Sequence, residues 1–174
     1  EKERQDVPAS RADKALVAVL TQALGAPFVS LDDKVRLVHS HGQLSVGEIY
    51  RLLYGDSLVR VVDVVLYPES EDHVRAIVRL AEEHDICLVP YGGGTNVSGA
   101  LVLPPDDGRV FASVDMRQMN KVVWLDEENF QACIEAGISG KELERELSAR
   151  GYTSGHDPDS IELSTLGGWI ATNA

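Results

Sequence analysis

The sequence predicts an α+β chain in which N-terminal helices precede a small βαβ unit and a second, largely antiparallel sheet that stops incomplete. Two apolar, β-branched runs, "LVRVVDVVLYP" and "ICLVPYGGG", flank a segment with helical spacing, which gives the βαβ unit. Beyond the second run, short strand-like segments follow one another without helices between them. Before the first run, cap residues open periodic apolar stretches.

Ser10 precedes "RADKALVAVLTQALG", where Ala12, Leu16, Val19, Leu20 and Ala23 share a helical face and Gly25 supplies the stop. The first element is therefore a helix capped by Ser10. In "SVGEIYRLLYGD", Ser45 with Glu48 forms a capping box, Ile49, Leu52 and Leu53 make the apolar stripe, and Gly55 ends a second, short helix. Between the two, "LDDKVRLVHSHGQ" has weak periodicity and reads as an irregular connector. Leu58 to Pro68 is a nearly continuous apolar run stopped by proline, as expected of a strand covered on both faces. In "ESEDHVRAIVRLAEEHD", Val74, Ile77, Val78 and Ala81 have helical spacing, and acids stand at the N-terminus where the macrodipole favours them. The crossover of the resulting βαβ unit should be right-handed.

Downstream, "RVFASVD", "KVVWLD" and "QACIEAG" read as a meander opening the second sheet, with the acidic run at 126–129 as a solvated hairpin loop. Ser139 with Glu142 caps "GKELERELSAR", where Leu143 and Leu147 lie on one face and Gly151 ends the helix. The tail "GYTSGHDPDSIELSTLGGWIATNA" is dense in Gly, Ser, Thr and Asp. It predicts a long functional loop leading to a further element beyond Ala174.

Composition narrows the function. The chain has 174 residues, 44% hydrophobic and 25% charged, which is globular usage rather than that of a disordered segment. A net charge of −12 without a basic patch argues against nucleic acid as a partner. Cys87 and Cys133 stand alone in strand-like runs and read as small buried thiols, pointing to a reducing compartment. There is neither an apolar run of about 18 residues nor a basic, then apolar leader, so no membrane span or secretory signal is expected. His39 and His41 alternate as if on a strand, but no spacing in the chain suits a metal site, and none is expected.

The glycine loop "VPYGGGTNVSGAL" carries the chemistry. It sits at the carboxyl end of the second parallel strand, where ligands bind in open α/β sheets and where glycines let backbone N–H groups approach a phosphate. At least one of its glycines should take φ > 0 or face the phosphate closely, and Gly93 stands in the middle. It is neither Walker A, because Ala100 and Leu101 stand where Lys and Ser/Thr belong, nor a G-x-G-x-x-G, because Val97 takes the last glycine position. On the loop alone, a tight turn between strands remains open.

The loop "PYGGGTNVSGAL", the stretch "VDMRQMNKVVWLDEENFQACIEAGISGKELERELSARGY" and the tail "GHDPDSIELSTLGGWIATNA" together resemble the flavin-binding half of vanillyl-alcohol-oxidase type flavoproteins. Within that superfamily the closest similarity is to the alkyldihydroxyacetonephosphate synthase (alkylglycerone-phosphate synthase) family. The likeness runs from Arg60 onwards and, more loosely, back through "RLVHSHGQLSVGEIY". Gly-Gly-Gly-Thr marks the superfamily, whereas the combination in the tail is much narrower. Tyr91 and Asn96 occupy variable positions, and Asp157 stands where a longer acid is expected.

The resemblance implies a PCMH-type FAD-binding domain at 58–174, in two subdomains with FAD between them, preceded by a helical segment at 1–57. The main chain of Pro90, Tyr91, Gly92, Gly93, Gly94, Thr95 and Asn96 would hold the diphosphate. Asp159, Ser160, Ile161, Glu162, Leu163, Ser164 and Thr165, with Thr172, Asn173 and Ala174, would hold the rest of the cofactor. His156, beside Asp157 and Asp159, would line a turn rather than relay charge. In the family the flavin works without net oxidation: the acyl chain of acyl-dihydroxyacetone phosphate is exchanged for a fatty alcohol. The resemblance further implies a homodimer and a peripheral membrane contact for the complete enzyme, a location in peroxisomes or glycosomes, and catalytic residues and a substrate cap beyond Ala174. An FAD-dependent 2-hydroxy-acid oxidoreductase of the same fold is the alternative, and a domain that kept the fold and lost the flavin is a third reading.

Overall fold

The computed structural model describes residues 7–43, 46–54 and 58–174. Helix α1 (Lys14–Leu24) is followed by the short strand β1 (Val29–Ser30), helix α2 (Asp33–Val38) and helix α3 (Val46–Tyr54). Then come β2 (Val64–Leu66), α4 (Glu71–His84), β3 (Cys87–Tyr91) and β4 (Phe111–Asp115). Strands β5 (Val122–Asp126) and β6 (Gln131–Ile134) and helices α5 (Gly140–Ser148) and α6 (Leu166–Thr172) complete the chain. The α+β class is as expected. Among the described residues no helix is long and apolar enough to cross a membrane.

The first sheet has the order β1-β2-β4-β3, with β4 parallel to both β2 and β3 and β1 antiparallel to β2. This corrects the reading of "RVFASVD" as the first strand of the second sheet: it is the central strand of the first, inserted between the two strands of the βαβ unit. All five residues of β4 are buried, as a strand covered on both faces requires. The second sheet is the β5–β6 hairpin alone. Its turn at 126–129 is solvated as expected, and the Asp126 carboxylate accepts from the amides of Glu128 and Asn129.

Period-two alternation places Val64, Leu66, Ala112 and Val114 on one face of the first sheet, packed with Leu16, Leu20 and Leu24 of α1 and Ile77, Leu80 and Ala81 of α4. Val65 and Phe111 face the other way, toward Val62 and Leu103. A separate core of Ile138, Leu143, Leu147 and Trp169 seats α5 and α6 on the hairpin through Val122, Leu125 and Ile134. Leu20 is 0% exposed. Leu20→Ala should therefore cost about 2–5 kcal/mol, read as a lower urea midpoint at unchanged slope.

Several elements differ from expectation for identifiable reasons. Helix α1 is capped by Asp13, whose carboxylate accepts from Leu16 N at 2.8 Å, not by Ser10. Ser10 instead donates from Oγ to Asp63 O at 2.7 Å and fastens the chain to the sheet. The segment 31–43 is not wholly irregular, because Asp32 caps α2 by accepting from the amides of Lys34 and Val35. The run Leu58 to Pro68 is strand only over Val64–Leu66. Its earlier part is buried as irregular backbone, with the Val62 amide donating to Ser40 Oγ at 2.9 Å and its carbonyl accepting from Arg36 Nε at 2.8 Å.

Helix α4 runs from its Ser70 cap to Asp85 in the left-handed region. Its buried stripe is Ile77, Leu80 and Ala81, while Val78 is exposed, because the face turned to the sheet is rotated one position from the one read. Helix α5 has the expected cap: Ser139 Oγ accepts from Glu142 N and donates to Glu142 Oε2. Cys87 is half-buried and Cys133 is exposed, since β6 belongs to a hairpin covered on one face only. His39 and His41 are not on a strand; His39 ends α2. The tail is loop up to Thr165 and then forms α6. In α3, Ile49 and Leu52 are half-buried while Leu53 is exposed; its expected Ser45 cap and Gly55 stop lie outside the described residues.

Candidate cofactor site

The parallel ladder ends at the pair Tyr91 and Asp115, and the glycine loop leaves the sheet at that edge. Gly94 takes φ 65, the left-handed turn that the loop requires, whereas Gly93 does not. Gly93 is needed for another reason: a Cβ there would lie 1.9 Å from Leu163 O. A Cβ on Gly92 would lie 2.3 Å from Thr165 Oγ1. Gly93 therefore packs against the backbone of Leu163 and Ser164 and Gly92 against the Thr165 side chain, bringing together the two stretches singled out in the sequence. Pro90 and Tyr91 belong to β3, and Thr95 and Asn96 continue the loop at its half-exposed rim.

On the second stretch, Ser160 takes φ 60 and its carbonyl accepts from Leu163 N and Ser164 N, making a tight turn. Asp159, Glu162 and Leu163 are exposed, Ser160 and Ile161 half-buried, and Ser164 and Thr165 buried. Ser164 Oγ accepts from Trp169 Nε1 at 2.8 Å, and Thr165 caps α6 by accepting from Gly168 N at 3.3 Å. Thr172, Asn173 and Ala174 lie at the far end of α6, roughly 10 Å from its start at 1.5 Å per residue. They are exposed and are not brought against the glycine loop.

The amides of Gly92, Gly93 and Thr95 donate to no other described residue. A run of unspent backbone donors beside a left-handed glycine is the arrangement that receives a phosphate, and neutral donors suit an acidic chain. A diphosphate fits this edge. His156 stands apart: its Nε2 donates to Ala174 O at 2.9 Å and its ring meets Trp169 edge-on at 5.3 Å. His156→Ala should change flavin affinity by less than about 0.5 kcal/mol, as for an exposed side chain outside the contact, in a fluorescence titration.

Beneath the loop lies a polar network that the sequence reading missed. Asp115, buried, accepts from His39 Nε2 at 2.9 Å and from Arg117 Nη2 at 2.6 Å and Nε at 3.1 Å. His39 Nδ1 meets Val35 O at 2.8 Å, so both ring nitrogens face oxygen atoms. The His39 ring lies 4.3 Å from that of Tyr91, and the Arg117 guanidinium 5.3 Å from the same ring. Burial pushes the Asp115 carboxyl up, but the hydrogen bonds from His39 and Arg117 and the guanidinium charge outweigh it and hold it below its ordinary value. Burial raises the Tyr91 hydroxyl. The available signal was an acid closing an otherwise apolar strand, "FASVD", two residues before an arginine. Among the described residues no three His, Cys, Asp or Glu side chains group as metal ligands would.

Comparison with known proteins supplies the family. The sequence profile of the FAD binding domain matches residues 62–174. Alkyldihydroxyacetonephosphate synthase of Caenorhabditis elegans is 41% identical over 145 residues, covering 83% of this chain and 24% of that protein. The Dictyostelium discoideum protein of the same name is 43% identical over 142 residues, covering 81% of this chain and 23% of its own. A solved structure of an alkyldihydroxyacetonephosphate synthase superposes with a TM-score of 0.91 at 36% identity, covering 98% of this chain and 31% of that one. The chain thus spans about a quarter of the length of these relatives. With the profile matched from Val62 to Ala174, this chain belongs to the FAD-binding domain family, and its cofactor is FAD.

Proposed function

We propose that this chain is the FAD-gripping part of an ether-lipid biosynthetic enzyme, an alkylglycerone-phosphate synthase. The enzyme exchanges the acyl chain of acyl-dihydroxyacetone phosphate for a fatty alcohol and gives alkyl-dihydroxyacetone phosphate plus fatty acid. The observation that carries the reading is the set of unspent amides at Gly92, Gly93 and Thr95, packed against 163–165 in a chain this similar to the synthases.

Residues 58–174 are the flavin-binding unit, and helix α1 of the preceding segment packs on its α4. Main-chain groups from Pro90 to Asn96 hold the diphosphate, residues 159–165 close over it, and Thr172, Asn173 and Ala174 reach the remainder of the cofactor. When bound, FAD supplies a reactive ring system used without net oxidation of the substrate. This chain's own residues bind the diphosphate, fix its place at the sheet edge and shield it with the second loop. Acyl-dihydroxyacetone phosphate and the fatty alcohol are bound by other parts of the full-length enzyme, which works as a homodimer with peripheral membrane contact in peroxisomes or glycosomes. The 174 residues alone are inactive and hold FAD weakly or not at all.

The test is an assay of the full-length protein with acyl-dihydroxyacetone phosphate and a labelled fatty alcohol. Labelled alkyl product with equivalent fatty acid release, and no reduction of an added electron acceptor, is the expected result. Reduction of the acceptor by a 2-hydroxy acid, without alkyl product, would overturn it.

A further inference from the structure

We propose that Asp115, His39 and Arg117 are positioning residues for the glycine loop, acting through Tyr91 to fix the place of its amides before the cofactor arrives. The proposal rests on the reading of that loop as the FAD diphosphate cradle. Tyr91 is the last residue of β3, directly before Gly92, and is buried. Its hydroxyl lies 2.7 Å from where a Cβ on Gly94 would stand, so the left-handed glycine rests on the end of the Tyr91 side chain. Gln43 completes the seat: its amide donates to Gly94 O at 2.7 Å and its Nε2 donates to Tyr91 Oη at 3.4 Å.

The ring of Tyr91 is set in turn by the network around it. His39 and Arg117 both contact the ring, and both are tied to the Asp115 carboxylate. Asp115 is Tyr91's partner in the parallel ladder, so a rigid sheet edge carries the anchor. The carboxylate, imidazole and guanidinium thus hold one aromatic ring, and that ring supports the turn with the unspent amides. The side chains of Asp115, His39 and Arg117 act on the loop through the Tyr91 ring. Their contribution is preorganisation: a loop already in the bound shape loses less freedom on binding.

The experiment uses Arg117→Gln and Arg117→Lys in the full-length protein, Arg117 being half-exposed in its side chain and so the member of the network most tolerant of change. Hydrogen exchange of the Gln43 amide, which donates to Gly94 O, reports the seating of the loop without any ligand. FAD titration reports affinity, and urea unfolding reports global stability. Arg117→Gln should speed Gln43 exchange and weaken FAD by about tenfold, the scale on which supporting residues tune a site. Arg117→Lys, which keeps charge but loses the two-pronged grip on Asp115, should fall between. A merely structural role would lower the urea midpoint and change exchange throughout the sheet equally. If Arg117→Gln is too unstable to measure, Arg117→Lys decides. Unchanged FAD affinity and unchanged Gln43 exchange in a folded variant would overturn the proposal. Full-length wild-type protein that takes no FAD would instead defeat the cradle reading, and the Gln43 exchange of the variants would still decide whether the network sets the loop.

Discussion

Gly93→Val should strip FAD from the full-length enzyme. The added Cβ would stand 1.9 Å from Leu163 O and 2.6 Å from Leu163 C, both backbone atoms that cannot rotate away. The loop at 159–165 must then move off the glycine run, and amides aimed at the diphosphate lose their places. The cause is this close approach rather than backbone strain, since the left-handed position is Gly94. Each charge-assisted hydrogen bond lost is worth about 1.5–3 kcal/mol. Loss of two weakens flavin by roughly two to four orders of magnitude at 1.4 kcal/mol per factor of ten. Because the clash also loosens the packing between the loops, affinity is to be measured per folded molecule, with circular dichroism beside flavin absorbance. Folded Gly93→Val protein with full flavin content would contradict the cradle.

Asp63→Ala is expected to be the most damaging single change to stability. Asp63 is 0% exposed. Its carboxylate accepts from Arg60 Nη2 at 2.8 Å, from Phe111 N at 2.8 Å and from Arg11 N at 2.8 Å. It thereby ties the chain before α1, the entry to β2 and the start of β4 at one point. Removing it leaves the Arg60 guanidinium buried with Arg109 O as its remaining hydrogen-bond partner among the described residues. Breaking a buried pair in this way costs about 3–5 kcal/mol, a large part of the 5–15 kcal/mol that a domain has in total. Thermal denaturation should show a fall of roughly 6–20 °C, at about 2–4 °C per kcal/mol for a chain of this size. Replacing both partners with apolar residues, as in Arg60→Met with Asp63→Leu, should recover most of the loss. Asp63 lies at the amino edge of the sheet and the glycine loop at the carboxyl edge, so flavin affinity per folded molecule should survive this change. A midpoint within 2 °C of wild type would show that the clasp contributes little.

Legibility in the sequence followed local determination. Helix α4 carries its own cap, its own stop and a long amphipathic period, and α5 carries a capping box, so both could be read directly. Helix α2 has only six residues and lacks a full period. Helix α6 contains Gly167 and Gly168, which lower helix propensity; Gly167 is there because a Cβ would come within 2.8 Å of Ala136 Cβ, a tertiary requirement invisible in local spacing. The place of β4 between β2 and β3 is likewise a property of the whole sheet, since "FASVD" pairs equally well on paper with a hairpin neighbour. At the site, the glycines and the Ser/Thr-rich tail announced themselves by composition. The supporting Asp115, His39 and Arg117 come from separate elements that only folding brings together.

The most direct test of the central claim is an FAD titration of the 15N-labelled chain, followed at the amides of Gly92, Gly93 and Gly94 and of Leu163, Ser164 and Thr165. If the two loops form one diphosphate cradle, both sets of amides shift along a common saturation curve, whatever the affinity. Flavin binding that leaves either set unmoved while other residues shift would contradict the account.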